Sequence, residues 1–239
     1  MGDILLKKDI IFESHKSVLC PVDKNKYISI RRIYCVGANY TAHAEEMGRD
    51  PKKDKPFFFS KPHDALTDVS KEKNTNIYFP SKTSNLHHEI EMVVAIGKEC
   101  KNISKEDAQS SIFAYGVGVD LTRRDIQMDA RQKGRPWDMA KGFDQSALVG
   151  TLSLSKDCNS IENSKIWLKV NGVLKQYSEI NKMIWSSAEI ISFLSEYVQL
   201  MPGDLIFTGT PEGVGSLKKG DLIEGGISGL NEIKFMLDN

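Results

Sequence analysis

Cysteine is scarce and scattered. The four residues Cys20, Cys35, Cys100 and Cys158 form no C-x-x-C pair in 239 residues, which points to a reduced, intracellular protein rather than a disulfide framework. Excess charge is missing as well. The 32 basic and 32 acidic side chains cancel, so there is no electrostatic case for a nucleic acid or an anionic membrane as partner. No apolar run approaches the ~20 residues of a membrane span. No secretory signal opens the chain, and Leu6 stands where a myristoylation signal needs Ser or Thr. The first thirty residues mix Asp3, Asp9 and Glu13 with lysines, which argues against a mitochondrial presequence. The cytoplasm is the expected location, with the mitochondrial matrix as the alternative.

What is present is length enough for a substantial core and an ordinary balance of apolar and charged residues. Residues 1–30 read as an N-terminal extension with one or two edge strands, and residues 31–239 as a single domain, because no linker divides them. The stretch Asn85 to Ile96 has the β-branched content of a strand. Alternation there puts Glu89 and Glu91 on one half-buried face, with Ile90, Met92, Val94 and Ile96 on the other. Adjacent carboxylates repel and need a counter-charge. Asp120, alone in the apolar run Tyr115 to Leu121, supplies a third carboxylate. Three carboxylates without cysteine make an all-oxygen set suited to Mg²⁺ or Mn²⁺, with Ca²⁺ the weaker option. The plain alternative is an exposed acidic face plus a turn aspartate.

Elsewhere, Arg32 to Gly37 reads as a buried strand, and Thr41 to Met47 as a short helix stopped by Gly48. Phe57 to Lys61 reads as another strand. Ser104 to Asp107 resembles a capping box that opens a helix running through Phe113. Residues 122–135 are too polar for a core helix and read as a surface segment or lid. Asn171-Gly172 predicts a type I′ hairpin turn. Ser186 to Glu189 is a second capping box, opening a helix with Ile190, Ile191, Leu194, Tyr197 and Val198 on one face. Gly203-Asp204-Leu205-Ile206 and Gly220-Asp221-Leu222-Ile223 repeat one turn-to-strand pattern. Many strands and few helices predict an α+β, mainly β fold: a sandwich or rolled barrel with short peripheral helices.

Several residues could carry chemistry. His43 and Glu46 share a helix face, and a carboxylate beside an imidazole raises the basicity that water activation requires. Lys141, in the mostly uncharged run Trp137 to Phe143, could meet negative charge developing on a substrate oxygen; a solvated loop lysine is the competing view. Thr208 to Gly215 is a Gly-rich turn whose N–H groups could hold a carboxylate, but it lacks the Lys-Ser/Thr ending of a phosphate loop. His87 and His88 suit hydrogen bonding around a metal better than direct ligation. Lys61 and His63 read as structural.

The motifs Gly37-x-Asn39-Tyr40-x-x-His43-x-x-Glu46, Phe59-x-Lys61-Pro62, His88-Glu89-x-Glu91, Asp120-x-Thr122-x-Arg124-Asp125 and Ala140-Lys141 share a pattern. With Gly203 to Gly215 they resemble the fumarylacetoacetate hydrolase family, in order, from about residue 32 to the C-terminus. Asn85 to Glu89, Lys133-Gly134-x-Pro136-Trp137 and Trp167 to Gly172 resemble its small acylpyruvase and oxaloacetate decarboxylase branch. The resemblance implies a mixed β-roll, a homodimer, and Mg²⁺ or Mn²⁺ held by Glu89, Glu91 and Asp120. It also implies His43 and Glu46 as a base pair, Lys141 as their electrostatic partner, and Arg124, Gln127 and Thr210 as substrate contacts. Ala38 and Arg123 depart from the family pattern at positions expected on the pocket rim.

One such site supports three reactions on a chelated 2-oxo acid: decarboxylation of oxaloacetate, hydrolysis of an acylpyruvate, and keto–enol tautomerisation. Oxaloacetate decarboxylation with acylpyruvate hydrolysis is the leading expectation. A hydratase or isomerase of aromatic-acid breakdown and a Ca²⁺-stabilised interaction module are the alternatives.

Overall fold

A computed structural model describes residues 16–23, 25–42 and 55–238. Its centre is the strand Ile90–Ile96, every residue of which is buried. It pairs antiparallel with Ile112–Asp120 on one side and with Asp204–Phe207 on the other. The sheet continues outward through Arg32–Gly37 to Phe57–Lys61, and through Ala147–Val149 to Leu66–Asp68. Most neighbours run antiparallel, but Asp204–Phe207 lies parallel to Arg32–Gly37, and Ala147–Val149 parallel to Leu66–Asp68. A five-stranded sheet, ordered Val173–Glu179, Lys165–Val170, Leu222–Ile227, Ile233–Leu237 and Thr75–Ile77, forms the second layer. The predicted mainly-β roll is therefore the observed architecture.

Two core clusters explain why the central strand carries no exposed face. Met92, Val94 and Ile96 pack with Ile166, Leu168, Ile223 and Phe235 of the second layer. Val93 and Ala95 pack with Cys20, Val22, Ile33, Leu205 and Phe207 on the opposite side. Cys20 and Val22 belong to a hairpin, Leu19–Val22 with Lys26–Ser29, so the described part of the N-terminal extension contributes to the core.

The helices are α1 (Lys105–Ala108), α2 (Arg124–Gln132), α3 (Asp138–Lys141) and α4 (Ser187–Tyr197). Helix α1 is capped by Ser104 as expected, but it gives way to a 3₁₀ turn and then to a strand from Ile112, short of Phe113. The sheet ladder captures those residues first. The α4 capping box forms in both directions between Ser186 and Glu189. Ile190, Ile191 and Leu194 are buried, whereas Tyr197, the last residue of the helix, is 72% exposed. Asn171 and Gly172 both take positive φ in the predicted hairpin turn. No described helix is long and apolar enough to cross a membrane.

Candidate metal centre and active site

The acidic stretch is not one strand. Leu86–His88 pairs with Thr122–Arg123 and Gly215–Leu217 in a small separate sheet, and the chain breaks at Glu89 before the central strand begins. The break turns Glu89 inward, and all three carboxylates are fully buried rather than half-buried. Antiparallel register sets Glu91 opposite Gly118, and the Asp120 amide donates to the Glu89 carbonyl at 2.9 Å. Glu89, Glu91 and Asp120 consequently each offer an oxygen within 4.8 Å of the others.

Cations surround two of the three. The Lys141 ammonium, at the end of α3, lies 2.8 Å from Glu89 Oε2 and 2.7 Å from Asp120 Oδ2, and donates to Thr122 Oγ1 at 2.7 Å. The Arg124 guanidinium pairs with Glu89 Oε1 and donates to Gln127 Oε1. Burial alone would lower the Lys141 pKa, but the carboxylates of Asp120 and Glu89 outweigh it and hold the ammonium above its ordinary value. Among the described residues no cation pairs with Glu91. Its Oε2 accepts from the Gly209 amide at 2.6 Å, while burial and then the charges of Asp120 and Glu89 push its carboxyl well above the usual range. Gly209 has φ of 100°, and a Cβ there would stand 2.6 Å from Asn39 Cβ, so glycine is required for this approach. The Gly-rich turn does hold a carboxylate, and it is the protein's own.

The donor set fits a hard divalent cation. Among the described residues Glu91 lacks a positive partner. Asp120 Oδ1 accepts no hydrogen bond although the Lys61 ammonium sits 2.7 Å away, a charge contact with the wrong angle for one. Glu89, Glu91 and Asp120 are the residues that could hold Mg²⁺ or Mn²⁺.

Above this floor lies a narrow pocket lined by Glu89, Glu91, Arg124, Gln127, Lys141 and Thr210, with Phe57, Phe59 and Trp137 as its apolar wall. Trp137 meets Phe57 and Phe59 edge-on, ring centroids 5.6 and 5.8 Å away. Every described member of the expected site reaches this pocket or its floor. His43 and Glu46 lie outside the described residues, as does most of the expected Thr41–Met47 helix. Residues 122–135 are mainly helix α2 rather than a bare surface segment. Polar residues are buried on its inner face because Arg124 and Gln127 satisfy each other and Glu89. Ala38 lines the pocket as expected. Arg123 does not. It stacks over Phe143 at 4.4 Å and lines a different cleft with Tyr78 and Met139; it ends the short strand Thr122–Arg123, whereas Arg124 opens helix α2.

Two site residues escaped sequence reasoning. Lys61, read as structural, is buried against Asp120 and donates to the carbonyls of Leu121 and Lys141, so it holds both ends of the floor. Gln176, 1% exposed on the strand Val173–Glu179, accepts from the Ile90 amide and bonds His88 Nδ1 at 2.8 Å. Its amide donates to Thr210 Oγ1 and the Pro211 carbonyl, both at 2.9 Å. A lone glutamine in an amphipathic strand gives no signal in sequence. The histidines serve around the site as expected: His88 bonds Gln176, and His87 bonds Asn85 and receives a long 3.4 Å contact from Arg124. His63 stands exposed on a 3₁₀ turn and lines no part of the pocket.

Residues 32–237 match the family model for the fumarylacetoacetate hydrolase C-terminal domain. The chain is 42% identical over 191 residues to a fumarylpyruvate hydrolase of Ralstonia sp., covering 79% of this chain and 97% of the relative. It is 38% identical over 208 residues to mitochondrial oxaloacetate tautomerase FAHD1 of Bos taurus, covering 87% and 92%. Among solved structures it resembles the fumarylpyruvate hydrolase of Pseudomonas aeruginosa in complex with Mn²⁺ and pyruvate. That match has a TM-score of 0.94 and 43% identity, and covers 96% of this chain and 99% of the other. The buried carboxylate trio, the lysine beside it and these matches have one conclusion: the chain belongs to the fumarylacetoacetate hydrolase family.

Proposed function

We propose that this protein is a Mg²⁺- or Mn²⁺-dependent enzyme of small 2-oxo acids that hydrolyses acylpyruvates to pyruvate and a carboxylic acid and also acts on oxaloacetate. The observation that carries this reading is Glu91, a buried carboxylate with no ion pair among the described residues, on the floor of a pocket that also presents Lys141, Arg124 and Gln127. Glu89, Glu91 and Asp120 would hold the divalent ion, which would supply Lewis acidity toward a 2-oxo group.

The chain's own residues do the rest. Arg124 and Gln127, fixed to each other, and Thr210, fixed by Gln176, are positioned to bind the 2-oxo acid head. Lys141 stays protonated and meets the negative charge that develops on it. Phe57, Phe59 and Trp137 exclude water from that charge, which strengthens each contact. His43, oriented by Glu46, is proposed as the base that activates the attacking water. Relatives named oxaloacetate tautomerase support tautomerisation as the second reading, since the same head contacts serve an enol. A catalytic pocket of this kind leaves no reason to favour a Ca²⁺-stabilised interaction module. A homodimer is part of the proposal, supported by Val173, Leu174 and Tyr177 exposed on an edge strand of the five-stranded sheet.

The test is a panel of oxaloacetate, acetylpyruvate, fumarylpyruvate and fumarylacetoacetate with Mn²⁺ or with excess chelator. Acylpyruvate hydrolysis should require the metal. His43→Ala should lower kcat/KM for acylpyruvates by about 10²–10⁴-fold while sparing the bond-breaking step on oxaloacetate, and Lys141→Ala should damage both. Full activity in chelator, or equal losses on both substrates for His43→Ala, would overturn the corresponding assignment.

A further inference from the structure

The narrow pocket does not end at its aromatic wall. A second cleft, of about 460 Å³, shares Phe57, Phe59, Trp137 and Lys141 with it and extends past Phe58 and Ser60 to Arg135 and Pro136. Pyruvate's head belongs on the carboxylate floor, so a substituent on C3 must leave along this shared wall. Oxaloacetate, with one carboxylate on C3, has little to place there. A longer acyl arm does.

Arg135 is set at the far side of that cleft by a helix cap. Its amide donates to the Ala130 carbonyl at 2.8 Å, and the Gly134 amide to the Arg131 carbonyl at 3.3 Å. This is the paired 6→1 and 5→2 arrangement of a Schellman motif. Gly134 takes φ of 62° with open space around it, so conformation alone demands glycine there. The backbone of Arg135 is thereby fixed, and the side chain is exposed without an ion pair among the described residues. Asp138, also on this cleft, tempers the local charge but does not pair with Arg135.

We infer that this cleft receives the acyl arm of the substrate and that Arg135 selects arms ending in a carboxylate, which makes the favoured substrates dicarboxylic acylpyruvates. The inference rests on the 2-oxo acid reading of the floor. Ligands that are not cleaved separate the two. By calorimetry, the Mn²⁺-loaded wild-type protein should bind 2-oxoadipate about three- to fivefold more tightly than 2-oxohexanoate, which has the same chain ending in methyl. Arg135→Gln should abolish this preference without weakening 2-oxohexanoate, and Arg135→Lys should keep it. In turnover, Arg135→Gln should raise KM for fumarylpyruvate and leave acetylpyruvate unchanged. No preference in the wild type, or a preference that survives Arg135→Gln, would overturn the assignment. Intact preference without acylpyruvate cleavage would remove the hydrolase reading and leave the subsite standing; failure of both acids to bind would remove both.

Discussion

At the scale of single residues, the floor is a balance of buried charges in which Lys61 has the least replaceable place. Its side chain and that of Asp120 are both fully buried, 2.7 Å apart. Removing one partner of such a pair leaves the other desolvated and uncompensated, a cost of about 3–5 kcal/mol. Lys61→Met should therefore lower the urea midpoint strongly in metal-free protein. Saturating Mn²⁺ should recover part of the loss, because the ion takes over neutralisation of Asp120. A variant as stable as wild type without metal would show that Asp120 does not depend on Lys61. The sequence marks Lys61 only as part of a motif. Its role depends on two carbonyls, of Leu121 and Lys141, that lie 60 and 80 residues away.

At the scale of elements, the strand Val173–Glu179 does two things at once. Its exposed side chains Val173, Leu174 and Tyr177 lie on a sheet edge that is unpaired among the described residues, while its buried Gln176 reaches the Gly-rich turn and the start of the central strand. Pairing of this edge between two copies would connect assembly to the site through Gln176. Burying a leucine is worth about 1.5–3 kcal/mol. Leu174→Lys should thus raise the dimer dissociation constant about tenfold or more in sedimentation experiments, with the monomer still folded. A monomeric wild-type protein, or a dimer indifferent to the change, would remove this edge from the interface. Helix α2 teaches the converse about reading elements. Its polarity suggests exposure, but Arg124 and Gln127 are buried because Glu89 and their own side chains complete their hydrogen bonds.

At the scale of the molecule, metal, protons and stability are linked. The Glu91 carboxyl is raised in the metal-free fold, so protonation of it favours folding. That contribution is full below the ordinary value of 4.5 and is lost as pH rises through the raised value. Metal binding requires the carboxylate and displaces the proton. His87 runs the other way. Burial, and then Arg124, depress it to about 4, so its neutral ring contributes stability above 6.5 that is lost as pH falls toward 4. Mn²⁺ at about 100 times its dissociation constant should stabilise by about 2.7 kcal/mol. At one fixed Mn²⁺ concentration the gain in Tm should be larger at pH 8 than at pH 5.5, because protons compete for Glu91. A gain that ignores pH would mean that Glu91 is already ionised without metal.

The sequence by itself determined many of the strands, the Ser104 cap, the Ser186–Glu189 capping box, the Asn171-Gly172 turn and the identity of the three carboxylates. Those features depend on alternation and on contacts within a few residues. It also carried the family pattern, because residues that share one pocket stay in fixed order along the chain. Only the tertiary structure decided that the acidic stretch breaks at Glu89, that the central strand is buried on both faces, and that Lys61 and Gln176 belong to the site. It also decided that Arg123 faces a different cleft from Arg124. These outcomes depend on which distant strand supplies the opposite wall. Burial of a charge is decided by partners that register and sheet order bring together, and no local pattern records them.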